Sequence, residues 1–203
     1  MIGIIDYGLG NLGSIRNMLK VVGVRSIISG VSGELESCDK LILPGVGAFD
    51  AGMDNLEKLG LDRAIRELAR QGMPLLGICL GMQLLGTRSE EGSMQGLALI
   101  DFESKKFDFS SNMNLRVPHM GWDVVEFTKC SPLTEGIEGR QRYYFVHSYY
   151  ARCVDEQDVL MTCDYGVTFA ASVNSGNVYG AQFHPEKSHD FGMRLLQNFA
   201  ERC

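Results

Sequence analysis

Through the first 86 residues, short runs of β-branched and other apolar residues alternate with segments whose apolar positions recur every three or four residues. This change of period predicts βαβ units built on a mostly parallel sheet. Met1-Ile2-Gly3-Ile4-Ile5-Asp6 reads as a buried strand, with further strands expected at 24–28, 40–43 and 75–78. Leu12, Ile15, Leu19 and Val22 share one helical face that Gly23 terminates. Leu61, Ala64, Ile65, Leu68 and Ala69 define a second helix, ended by Gly72 and Pro74. From about residue 97 the texture changes to successive strand-like runs at 97–103, 122–126, 143–150, 159–163, 168–173 and 178–183. A closing helix over 190–200 puts Phe191, Leu195 and Phe199 on one side. The expected fold is α/β: a central, mostly parallel twisted sheet flanked by helices, with a strand-rich second half.

At 203 residues the chain has the length of one compact domain of about 150 residues or slightly more. No repeat, low-complexity tract or Pro-rich linker divides it, so residues 1–203 are expected to form a single domain with no room for a second catalytic module. Hydrophobic residues make up 45% and charged residues 22%, a balance able to bury a real core. The net charge of −6 argues against nucleic acid as a partner. No apolar run is long enough to span a bilayer, and Asp6 comes too early for a signal peptide, so a cytoplasmic location is expected. Six cysteines occur with no CxxC pair and no regular spacing, which points to neither a disulfide framework nor a zinc site.

Three stretches carry candidate chemistry. Gly8-Leu9-Gly10-Asn11-Leu12-Gly13 satisfies G-x-G-x-x-G at a strand-to-helix turn, the pattern of a dinucleotide loop. The acid expected about 20 residues on is missing, since Ile28-Ser29-Gly30 stands there. A tight turn supporting another element is the competing reading. Gly77-Ile78-Cys79-Leu80-Gly81 has the form G-x-nucleophile-x-G, with a helix starting near Met82. In such an elbow the glycines allow a sharp turn that leaves the nucleophile at a helix N-terminus, where the dipole favours a thiolate. The backbone N–H of Leu80 would then face a developing oxyanion. The plainer reading is a core cysteine between packing glycines. Among four histidines, His184 has the best company: in Phe183-His184-Pro185-Glu186 a stiff backbone sets a carboxylate two residues from the imidazole. Cys79, His184 and Glu186 thereby supply nucleophile, base and orienter. Pro44-Gly45-Val46-Gly47 offers a second oxyanion N–H at Val46, with Gly45 and Gly47 permitting a peptide flip, or is an ordinary βα turn. Trp122, the only tryptophan, is either turn and core material or an interface anchor.

Taken together, Gly77 through Gln83 and the Phe183-His184-Pro185-Glu186 motif resemble the class I glutamine amidotransferases, whose triad is Cys-His-Glu on an α/β fold. Asp6-Tyr7-Gly8-Leu9-Gly10-Asn11-Leu12, Leu43-Pro44-Gly45-Val46-Gly47-Ala48-Phe49, Val117-Pro118-His119-Met120-Gly121-Trp122 and Tyr144-Phe145-Val146-His147-Ser148-Tyr149 narrow the resemblance to the glutaminase subunits of imidazole glycerol phosphate synthase. The resemblance runs the length of the chain. It implies hydrolysis of L-glutamine to glutamate and ammonia, without cofactor or metal, and delivery of the ammonia to a separate cyclase subunit with a (β/α)8 barrel in histidine biosynthesis.

By the same resemblance Val46, Gly47 and Leu80 form the oxyanion hole, and Gln83, Glu91, Ser148 and Tyr149 hold the amino-acid end of glutamine. Glu91 suits the substrate ammonium, although in Ser89-Glu90-Glu91-Gly92 it also reads as a solvated acid. Asn11, Trp122, Tyr144 and Lys187 match positions that face the cyclase in a heterodimer. Activity would then depend on that partner, with a flip of the Gly45-Val46 peptide as the switch. Two features depart from the pattern: Asp123 stands where asparagine is often found, and 108–114 is a polar segment without a counterpart. They leave room for an alternative acceptor, because similar glutaminases supply ammonia for amidine formation on surface polysaccharide sugars.

Overall fold

The computed structural model describes residues 1–109 and 115–203; of the polar segment 108–114, residues 110–114 lie outside the described residues. Strand β1 (Ile2–Ile5) is flanked in parallel by β2 (Ser26–Ser29) and β3 (Lys40–Gly45). β4 (Leu75–Cys79) pairs in parallel with β3 and with β12 (Val178–Ala181), so the order β2-β1-β3-β4-β12 forms the parallel part of the sheet. Four antiparallel strands continue it: β11 (Thr168–Ser175), β10 (Val159–Asp164), β7 (His119–Phe127) and β8 (Gln141–His147). A side branch of β5 (Arg88–Ser89), β6 (Phe102–Lys106) and β9 (Tyr149–Cys153) joins at β11. The second half is strand-rich as expected, and its strands extend the same sheet.

Alternation along the parallel strands divides the core into two layers. Ile5, Leu41, Leu43 and Leu75 point to one face, where α3 (Phe49–Lys58), α4 (Leu61–Arg70) and α5 (Leu80–Leu85) bury Phe49, Met53, Leu56, Ile65 and Leu84. Ile4, Ile42, Leu76 and Ile78 point to the other, where α1 (Leu12–Val21) and α6 (His189–Arg202) bury Ile15, Leu19, Leu195 and Phe199. Strands buried on both faces read as near-continuous apolar runs, which is what Ile2-Gly3-Ile4-Ile5 and Leu41-Ile42-Leu43 are. A short helix, α2 (Ser32–Glu36), joins β2 to β3. Among the described residues no helix is long and apolar enough to cross a membrane.

Several boundaries differ from expectation. The strand expected at 24–28 forms at Ser26–Ser29, where it pairs with Ile2 through Ile5. The run expected at 97–103 forms a strand only from Phe102. Residues 97–100 instead hydrogen-bond to the carbonyls of Leu84, Leu85 and Gly86, which anchors this segment at the end of α5. The run at 143–150 is two strands, because the chain changes partners at Ser148: β8 pairs with β7, whereas β9 pairs with β6 and β11. Helix α3 adds an element, placing Phe49, Met53 and Leu56 at helical spacing despite an internal Gly52. The 8–13 turn supports a neighbour: Gly10, at φ +119°, lies against Pro44.

Gly81 shows how tightly α5 is pressed onto β3. A Cβ there would overlap the Leu43 carbonyl oxygen and meet Pro44 backbone at 3.2 Å. Backbone on both sides leaves nothing flexible to yield. Gly81→Ala is therefore expected to destabilise the protein by about 3 kcal/mol, read as a lower urea midpoint with unchanged slope. An unchanged midpoint would contradict this packing.

Candidate active site

The carboxyl ends of three neighbouring parallel strands converge on one cavity, the usual place for a site in an open α/β sheet. β3 ends at Gly45 and leads into Val46-Gly47, β4 ends at Cys79, and β12 leads into His184. Their register sets Gly45 opposite Cys79 and Ile78 opposite Ala181.

Cys79 has φ +55° and ψ −111°, and α5 begins at the next residue. The helix thus starts two residues before the position expected near Met82, because the elbow turns within a single residue. Such a conformation in a residue with a side chain costs on the order of 1–3 kcal/mol, and surrounding packing must enforce it. Here the close glycines do so: a Cβ on Gly77 would lie 2.6 Å from the Gly81 carbonyl oxygen. The thiol sits 3.9 Å from the Val146 carbonyl oxygen and 3.9 Å from Gln182 Nε2, and the residue is buried. The Leu80 N–H lies at the first turn of the helix, where backbone donors have no intrahelical partner.

His184 precedes a short 3-10 turn, Pro185–Lys187, and its backbone N–H donates to the Tyr144 carbonyl at 2.9 Å. Its Nδ1 lies 2.8 Å from Glu186 Oε1, with both side chains 2% exposed. Nε2 is buried and has no hydrogen-bond partner among the described residues. Burial acts to lower the His184 pKa, but interaction with Cys79 and Glu186 outweighs it and raises the value to about 9. The site therefore favours an imidazolium next to the sulfur, the arrangement a thiolate nucleophile requires.

The cavity, of about 310 Å³, is lined by Cys79 and His184 together with Val46, Gly47 and Leu80. Gln83, Glu91, Ser148 and Tyr149 complete most of the wall, so every residue expected in the oxyanion hole or against glutamine reaches one space. Glu186 lies behind His184. Gln83 Nε2 donates to the Tyr149 carbonyl and to Gln182 Oε1, each at 3.1 Å. Glu91 is exposed, and its Oε2 accepts the Phe49 N–H at 2.8 Å, which holds the carboxylate at the start of α3. Burial, followed by the charges of Glu91 and Glu90, raises the Tyr149 pKa and keeps its hydroxyl neutral. Pro118, Val146 and His147 also line the cavity and were not anticipated; strand pairing of β7 with β8 brings the first near the other two.

Of the residues expected to face a partner, exposed Trp122 and Lys187 and half-buried Tyr144 cluster beside this cavity. Trp122 on β7 is 41% exposed, stands opposite Tyr144 on β8 and stacks on His189 at 5.5 Å. Lys187 Nζ lies 5.8 Å from the Tyr144 ring, and the Arg142 guanidinium lies 5.6 Å from the Trp122 ring. Arg142 and His189 were missed. The alternation of β8, which turns Arg142 and Tyr144 to the same face, was the available signal for the first. Asn11 is exposed and caps α1, accepting from the Ser14 N–H at 3.4 Å; α1 in turn packs against the 3-10 turn that bears Lys187.

Heteronuclear NMR is expected to show His184 releasing its proton near pH 9, and Glu186→Gln is expected to lower that midpoint. Because the folded value lies above the unfolded 6.5, folding takes up a proton here. The associated stability is complete below about pH 6.5 and is lost as pH rises through about 9. A midpoint at or below 6.5 would contradict the electrostatic account.

The profile of the glutamine amidotransferase class-I family matches residues 3–203. The chain is 48% identical over 204 residues to imidazole glycerol phosphate synthase subunit HisH 2 of Methanococcus maripaludis, covering 100% of both. It is 50% identical to the protein of the same name from Pseudomonas aeruginosa, with 99% of each chain covered. Subunit HisH of Leptospira interrogans is 46% identical over 98% of this chain and 99% of its own. A solved glutamine amidotransferase superposes with TM-score 0.78 at 23% identity, over 98% of this chain and 97% of that one, and shares the fold. With matched sequence over nearly all its length and that fold beneath it, this chain belongs to the class I glutamine amidotransferase family.

Proposed function

We propose that the chain, acting as one glutamine amidotransferase domain, is the glutaminase subunit of an imidazole glycerol phosphate synthase and supplies ammonia for histidine biosynthesis. The observation that carries this reading is the strained Cys79 sharing one cavity with His184, itself held by Glu186 at 2.8 Å. In the proposed reaction Cys79 Sγ attacks the carboxamide carbon of glutamine. The N–H groups of Leu80 and Val46 receive the oxyanion, with Gly47 giving the loop freedom to turn its peptide. His184 passes a proton to the leaving nitrogen, and ammonia departs from a glutamyl thioester. Water, losing a proton to His184, then cleaves the thioester and regenerates the thiol. Glu186 orients the ring throughout. Gln83, Glu91, Ser148 and Tyr149 hold the amino-acid end, with Glu91 facing the ammonium.

The ammonia must reach its acceptor before it is protonated in water, which is the chemical reason for a direct handover. The relatives are named as subunits of a synthase, which supports an acceptor site on a partner subunit, proposed to be a (β/α)8 cyclase. The cluster of exposed Trp122 and Lys187 with half-buried Tyr144, and exposed Asn11 on α1, supports this docking face; aromatic side chains of this kind anchor interfaces. A second reading keeps the chemistry and changes the acceptor to a surface polysaccharide sugar. It draws on Asp123 and on the numbered names of the relatives, HisH 2 in two organisms.

Reconstitution with the cyclase of the same genome tests both readings. Glutamine turnover is expected to rise when the ribulosyl intermediate of histidine synthesis is added, and Cys79→Ala is expected to lower turnover more than about a thousandfold while the complex still assembles. Full activity in that variant would overturn the mechanism. A wild-type complex that ignores the ribulosyl ligand would favour the sugar acceptor.

A further inference from the structure

At the cavity wall, His147 and the buried His119 behind it form a hydrogen-bonded array with no part in the proposed proton transfers. Pairing of β7 with β8 sets His119 directly opposite His147, with His119 Nδ1 3.0 Å from His147 Nε2. On the inner side, His147 Nδ1 lies 2.8 Å from the Tyr149 carbonyl oxygen. On the outer side, His119 Nε2 lies 3.4 Å from Oδ2 of Asp123, whose side chain is 35% exposed. The His119 ring is held between Tyr165, stacked at 3.9 Å, and Phe145 at 4.9 Å.

Donor and acceptor accounting places the hydrogens. A carbonyl oxygen only accepts, so His147 Nδ1 carries a hydrogen. Burial pushes the His147 pKa down to about 3 against the favourable Tyr149 contact, with His119 and His184 adding to the fall, so the ring is neutral and its Nε2 is a bare acceptor. His119 Nδ1 must therefore donate. A neutral His119 would then present a lone pair to Asp123, so that outer contact closes only when a proton lies between them. Burial lowers the His119 pKa and outweighs the opposing pull of Asp123. The inner half of the array needs no such proton.

The Tyr149 carbonyl thus receives two donors, His147 Nδ1 at 2.8 Å and Gln83 Nε2 at 3.1 Å. Ser148 and Tyr149 sit where the chain leaves β8 for β9 and changes strand partners, so side chains take over part of the backbone hydrogen bonding there. Both residues line the cavity.

We propose that His147, with its tautomer set by His119, is a positioning residue that holds Ser148 and Tyr149 in the conformation receiving the amino-acid end of glutamine. This rests on the glutaminase reading above. Heteronuclear NMR of the full chain in its complex reads the tautomer without any substitution: His147 is expected to be neutral with its proton on Nδ1 at neutral pH. A proton on Nε2, or a charged ring, would overturn the proposal. In the same complex His147→Leu is expected to raise KM for glutamine about tenfold, with kcat within about threefold, as loss of ground-state positioning does. His147→Asn, whose amide nitrogen can replace Nδ1 as donor, is expected to restore KM to within about threefold of wild type. An unchanged KM in His147→Leu, or no rescue by His147→Asn, would also overturn it. Absence of glutamine turnover in the wild-type complex would instead sink the glutaminase reading, and the tautomer would still be read independently.

Discussion

Cys79 is held at φ +55° between a strand that ends on it and a helix that begins immediately after it, and the geometry of the whole site follows from that turn. The turn is possible because Gly77 and Gly81 let α5 approach β3 and β4 so closely that side chains would collide with backbone. That approach aims the sulfur into the cavity and leaves the Leu80 N–H at the helix start. It also ties the thiol's position to the register of the parallel sheet, since β3 and β12 flank β4 and carry the other two loops. A shift of β4 by one residue would turn Cys79 to the opposite face.

Around this fixed point the flanking loops are cross-braced. Tyr7 donates its hydroxyl to the Pro44 carbonyl at 2.7 Å from beneath the 44–47 turn. Glu91 accepts from the Phe49 N–H, while Asp50 accepts from the Ser93 and Met94 N–H groups at 3.0 Å each. Backbone bonds from Ser93 and Met94 hold the Asp50 carboxyl below the usual range. These reciprocal bonds join the start of α3 to the 91–94 segment, so the loop bearing Val46 is anchored at its end while Val46 itself stays exposed.

Much of this was legible because it is local. The glycine-bracketed cysteine and the His-Pro-Glu run each place their chemistry within five residues, and the apolar runs of β1, β3 and β4 are short and unambiguous. What sequence reading missed depends on distant partners. The break at Ser148 comes from strands exchanging neighbours, and the start of β6 at Phe102 reflects the tethering of 97–100 at the end of α5. His147 was visible only as part of the Tyr144–Tyr149 motif, with no role attached; its pairing with His119 across β7 and β8 depends on strand register. Likewise, His189 joins Trp122 through the docking of α6, and Arg142 through the pairing of β7 with β8, neither of which short-range spacing encodes.

The account predicts one distinctive thiol among six. Cys153 and Cys163 are pushed up to about 12 and Cys203 to about 11 by burial, and burial also raises Cys38. Cys130 is exposed but lies outside the glutamine cavity. The most direct measurement is therefore peptide mapping by mass spectrometry after treating the assembled complex with an electrophilic glutamine analogue. Modification confined to Cys79 and prevented by excess glutamine is the predicted result. Modification of Cys130 in its place, or labelling of Cys79 that glutamine does not slow, would contradict a glutamine site centred on this cysteine.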